Sequence, residues 1–202
     1  LVPLPPVRRT ALLALPPTVR IEVLLGRLKR SLAESLSAFE VMWPDFVEAA
    51  GTVRPDARAL PASFAGLHVV LVEVEGRDDA QLTQLLEDAF GACMEDELVT
   101  DIVLSASTRD SADLWGLRES VGEIQSQIRP YAGFDLALPA AEHDAFVERA
   151  KASLKSSLPQ VRSYFFGHAG APQPRLNSVR CQRRKSSFEY SSREYLPRSS
   201  FG

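Results

Sequence analysis

Residues 67–76 read LHVVLVEVEG, and the fold follows from how that run is taken. β-Branched valines occupy both alternating sets of positions and Gly76 ends the run, so 67–74 is the strongest strand of the chain and belongs centrally in a sheet. Upstream, 36–43 contains SAFEVMW and forms a second strand ended by Pro44. A short helical segment at 45–50 stops at Gly51, and 52–66 is a loop. Further back, Ile21, Leu24, Leu25, Leu28 and Leu32 recur at helical spacing after Thr18, a candidate N-cap. Ahead of that helix, 7–15 closes on ALLAL before Pro16 and suits a buried strand, though it could equally be a short helix.

Downstream of the central strand the alternation continues. A helix over 78–94 buries Leu82, Leu85, Leu86, Ala89 and Phe90, and 98–104 is a strand. A helix over 108–128 carries Leu114, Leu117, Val121, Ile124 and Ile128 and stops at Pro130. Then come a short strand at 134–138, a helix at 140–158 with Phe146, Ala150 and Leu154 inward, and an aromatic strand at 161–166. The pattern predicts an α+β fold, a mostly antiparallel sheet with helices packed on one face, assembled from ferredoxin-like units.

A composition of 45% hydrophobic and 24% charged residues over 202 positions is that of a soluble globular chain. Charged residues interrupt every apolar run before it reaches membrane-spanning length. Cys93 and Cys181 have no paired spacing, which argues against a disulfide framework and for a reducing cytoplasm. The first residue is Leu, and the short apolar run behind Arg8 and Arg9 lacks a cleavage pattern, so the start reads as the interior of a longer frame rather than a secretory signal. The net charge of -3 conceals an asymmetry. Residues 171–202 hold seven basic and two acidic side chains with no hydrophobic period, whereas 1–170 are acidic. That divides the chain into a domain at 1–170 and a basic tail at 171–202, disordered or frame-shifted. The tail's Phe188, Tyr190 and Tyr195 among basic residues give a weaker, nucleic-acid reading.

Candidate chemistry is sparse. Arg118, in LWGLRES, sits on a helix where a guanidinium ordinarily faces solvent, yet its planar fork is the group best suited to hold a carboxylate. Asp135, in GFDLALP, lies within a strand and needs a capping or cationic partner. His168, in SYFFGHAG, leaves an aromatic strand on a turn between two glycines, where backbone can approach a ligand. His68 and His143 lack neighbours at metal-ligand spacing and read as structural.

Taken in order, FEVMW at 39–43, the VEVEG strand, LWGLRES at 114–120, GFDLALP at 133–139 and FFGHAG at 165–170 resemble the C-terminal domain of FAD-linked oxidases, within the D-2-hydroxyglutarate and D-lactate dehydrogenase group of the vanillyl-alcohol oxidase superfamily. The resemblance implies an FAD-dependent dehydrogenase that oxidises a 2-hydroxyacid, with Arg118 and Asn177 at the substrate and His168 on a zinc-like divalent ion. It also implies that a separate FAD-binding domain is the partner of this one, and that the chain alone is inactive. Three positions depart from the family pattern: Gly133 stands in place of a lysine, Gly122 in place of a threonine, and Arg175 in place of the second metal histidine. These departures make a dicarboxylate substrate harder to sustain and leave the metal site incomplete. They also leave open a stand-alone α+β module that binds a small carboxylate or a protein partner.

Overall fold

The computed structural model describes residues 7–54, 60–169 and 175–181. β1 (Val7–Leu15), α1 (Ile21–Leu32), β2 (Leu36–Met42), β3 (His68–Gly76), α3 (Asp79–Glu95) and β4 (Asp101–Leu104) follow one another with α2 (Pro44–Val53) inserted between β2 and β3. Their strands lie in the order β4-β1-β3-β2, every neighbour antiparallel. This is the ferredoxin-like unit expected from the alternation of strands and helices. Beyond it come α4 (Thr108–Glu119), α5 (Val121–Gln127), β5 (Tyr131–Ala137), α6 (His143–Ser157), β6 (Arg162–His168) and β7 (Arg175–Cys181). β6, β7 and β5 extend the sheet past β2, giving seven antiparallel strands among the described residues.

β3 pairs with β1 on one side and β2 on the other, so it is central, as its valines require. Six consecutive β3 residues, Val69 to Val74, are buried, and so are Thr10 to Leu15 of β1. Alternate side chains of such strands enter two separate cores. On one face Leu13, Val41, Val70 and Val72 pack with Leu24 and Leu28 of α1, Leu86 and Phe90 of α3, and Val147 of α6. On the other, Leu12, Met42, Leu71 and Phe166 pack with Phe46 of α2, Leu114 and Leu117 of α4, and Ile124 of α5. Helices therefore cover both faces and not one. The one-face arrangement holds for α1 and α3 of the ferredoxin-like unit, while the unbroken apolar strands demand cover on the opposite face as well.

Element ends differ from the sequence reading where a local bond decides. α1 begins at Ile21 after Arg20, with Thr18 outside the helix, whereas Asp78 caps α3 by accepting from the Gln81 amide. α2 continues through Gly51 to Val53, because one glycine with open space around it weakens a helix without ending it. The long helix expected over 108–128 divides at Ser120, whose hydroxyl bonds back to the Leu117 carbonyl and leaves α4 and α5 as separate helices. In α6 the buried residues are His143 and Val147, with Phe146 and Ala150 packed at the margin of the core.

The largest difference lies in the segment assigned to a tail from 171. Its residues 175–181 form β7, which pairs along its whole length with both β5 and β6. Composition missed it because a strand held by backbone hydrogen bonds between two neighbours needs no apolar period of its own. Residues 171–174 and 182–202, including the aromatic-basic stretch of the nucleic-acid reading, lie outside the described residues. No described helix is long and apolar enough to cross a membrane.

Candidate functional site

The face carrying α2, α4 and α5 holds the candidate site. α4 is started by Ser107, whose hydroxyl accepts from the Asp110 amide, and is seated by Leu114 and Leu117. Trp115 and Arg118, three residues apart, share its flank. Beneath them, β6 delivers Tyr164 and Phe166 into the same core, and the period of two puts His168 next along that face at the strand's end. The last pairs of the β2–β6 ladder place Glu40 directly opposite His168.

Glu40 joins the two expected residues. Its Oε2 accepts a hydrogen bond from Arg118 Nε at 2.8 Å, and its Oε1 lies 2.6 Å from His168 Nδ1. The Arg118 guanidinium also lies over the Phe166 ring, 4.4 Å from its centroid. Glu40 is only 6% exposed. Burial alone pushes its carboxyl upward, but the His168 hydrogen bond and the Arg118 charge outweigh burial and hold it below the usual carboxylate range. It is an ionised acceptor, and the group that faces each of its oxygens must be a donor.

A second buried carboxylate lies diagonally across the sheet. Glu73 of β3 accepts from Trp115 Nε1 at 2.8 Å and from the Ser37 hydroxyl at 3.2 Å. Two polar anchors thus pin α4 to the sheet, Trp115 on Glu73 and Arg118 on Glu40. Sequence reasoning missed both glutamates. The signal was present: a carboxylate inside an apolar strand needs a cation or donor. That argument was spent on Asp135, which is exposed on β5 and carries no such cost.

The remaining expected residues fall as follows. Asn177 lies on β7, in register with Phe166 on one side and Asp135 on the other, and Arg175 is in register with His168. The side chains of that strand lie outside the described ones. A Cβ added at Gly122 meets nothing within 4 Å, so no steric reason excludes a larger residue there. His68 and His143 lie at the opposite face, both near Trp43, with ring centroids 5.4 and 6.4 Å from it. Burial, with Lys151 nearby, pushes His68 down to about 4, and burial also lowers His143, whose Nε2 bonds to the Leu138 carbonyl.

The zinc-like ion implied by the resemblance does not fit the described side chains. Among them no three His, Cys, Asp or Glu groups stand together as a ligand set. His168 has one acidic neighbour, Glu40, and that carboxylate already accepts from a guanidinium whose charge opposes a second cation.

Residues 4–182 match the family described as FAD linked oxidases, C-terminal domain. The chain belongs to that family. FAD is the cofactor that the family implies. Among curated relatives, the D-2-hydroxyglutarate dehydrogenase of Xanthomonas citri pv. viticola is 32% identical over 61% of the chain and 26% of its own length. The probable mitochondrial D-2-hydroxyglutarate dehydrogenase of Oryza sativa subsp. indica is 30% identical over 79% of the chain and 28% of its own length. The chain therefore spans about a quarter of the length of the relatives it matches. Among solved structures, an alkyldihydroxyacetonephosphate synthase superposes with a TM-score of 0.60 at 13% identity, over 90% of this chain and 37% of that one, which establishes a shared fold.

Proposed function

We propose that this FAD-linked oxidase domain provides the substrate side of an FAD-dependent dehydrogenase acting on a small 2-hydroxyacid. The observation that carries the reading is the meeting of Arg118 and His168 on one buried carboxylate. With Nε held by Glu40, the guanidinium has its Nη–H donors to offer a substrate carboxylate. The imidazole, about a third exposed, offers its far edge to the neighbouring hydroxyl. Names of the curated relatives support the substrate class, and Gly133 and Gly122 favour a monocarboxylate over a dicarboxylate. FAD, when bound, would supply the hydride-accepting chemistry; the residues of this chain orient the acid and receive the hydroxyl's hydrogen bond. Asn177 is assigned a supporting contact to the same acid, and the compartment is taken to be the reducing cytoplasm.

Binding tests this directly. Titration of the 202-residue protein with D-lactate, followed by amide shifts, should perturb α4 and the end of β6. Arg118→Lys, which keeps the charge and loses the fork, should weaken binding by roughly ten- to a hundred-fold. Lactate bound equally well by the Lys variant would overturn the assignment. The purified chain should be colourless and remain so after desalting from FAD; a stoichiometric flavin spectrum would instead place the cofactor site here.

A further inference from the structure

We infer that Glu40 is the positioning residue of this site: through its two oxygens it fixes the Arg118 fork and holds the His168 ring with the proton on Nδ1, leaving Nε2 as a hydrogen-bond acceptor for the substrate hydroxyl. The inference rests on the substrate reading above and adds to it the direction of the hydroxyl bond and the residue that sets it. Glu40 separates its two duties cleanly, with Oε2 serving Arg118 and Oε1 serving His168. An ionised carboxylate accepts and cannot donate, so the ring nitrogen 2.6 Å away carries a proton. In the neutral imidazole the other nitrogen is then bare. A free histidine prefers no such arrangement strongly, and an imidazole whose outer nitrogen carried the proton would meet a hydroxyl as a donor.

The surroundings make the arrangement stiff. Glu40 lies in the backbone ladder between β3 and β6, opposite Leu71 and His168. Its side chain is closed over by Arg118, which is itself stacked on Phe166. The amide of Ala169, the next residue after the histidine, bonds to the Phe39 carbonyl at 2.9 Å, so backbone on either side of the pair is also tied. The orienting bond to a ring nitrogen serves a proton-accepting histidine as well as it serves a metal-bound one, and the described side chains around His168 do not form a ligand set for a metal.

The decisive measurement is the ring state of His168 in the 202-residue protein. Two-bond proton–nitrogen correlation spectra of the neutral ring, assigned by the signal that disappears in His168→Gln, should show the proton on Nδ1 and a bare Nε2. A proton on Nε2, or the averaged pattern of a free imidazole, would overturn the inference. A second arm compares lactate with propionate, which lacks the hydroxyl. Wild-type protein should bind lactate about ten-fold more tightly than propionate, and Glu40→Gln should erase most of that ratio. An unchanged ratio in the variant would count against Glu40. Should that variant fail to fold, the wild-type ring state decides alone. If neither acid binds the wild type while the proton sits on Nδ1, the substrate reading fails and the role of Glu40 in setting the ring survives.

Discussion

At the scale of single residues, charge is placed where the apolar strands can least tolerate it without a partner. His68 is the sharpest case outside the site. Its ring lies against Trp43, its Nε2 is 3.6 Å from Asp144 Oδ1, and burial holds it neutral down to about 4. An unfolded histidine takes up its proton near pH 6.5. Between those values the unfolded chain binds more protons than the folded one, so stability is full above about 6.5 and declines as the pH falls toward 4. The loss approaches on the order of 3 kcal/mol at the acid end, with Asp144, raised by burial, working in the opposite sense. Urea midpoints at pH 7.5 and pH 5 should differ, and His68→Gln should flatten the slope. An unaltered slope would mean that the ring is already charged in the fold. The candidate site was half legible at this scale. Arg118 and His168 announce themselves by residue type and by flanking glycines, whereas Glu40 is hidden in FEVMW because a lone acid among apolar neighbours resembles an outward-facing strand residue until its partners are known.

At the scale of elements, α4 is held to the sheet by polar anchors as well as by the buried Leu114 and Leu117. Trp115→Phe keeps an aromatic ring and deletes the donor to Glu73, leaving the Ser37 hydroxyl as that carboxylate's donor among the described residues. The expected cost is about 1–3 kcal/mol in a denaturant titration, against a few tenths if Glu73 could reach water. Ser107→Ala removes the bond to the Asp110 amide and should cost about 1 kcal/mol. The elements themselves were largely readable. β1 occupies the stretch its apolar run defines, and the buried faces of α1 and α3 follow the helical spacing of their leucines. The break at Ser120 and the full extent of α2 were not readable, since each depends on a hydrogen bond or a neighbour that periodicity does not encode.

At the scale of the whole molecule, two cores share one sheet, and the strand that joins its far wing came from the segment with the least apolar pattern. β7 gives all its described backbone pairings to β5 and β6. A chain stopped after residue 170 should therefore lose its single cooperative melt and associate through the bared edge of β6, seen as a broadened thermal transition and a shift to large species in size-exclusion chromatography. A truncated protein that melts cooperatively as a monomer would show that the wing is dispensable. The ferredoxin-like half was visible in the order of strands and helices. The wing was not, because β7, the strand that joins β5 to β6, carries no apolar period, and its place between them departs from the chain order.

That departure matters while the polypeptide is being made. β5 is synthesised well before β7, and among the described strands it borders only β7, so on a translating ribosome Tyr131–Ala137 lacks that neighbour until Cys181 has cleared the exit tunnel. During that interval Tyr131 and Phe134 are apolar side chains on an unclaimed strand, a natural foothold for a chaperone.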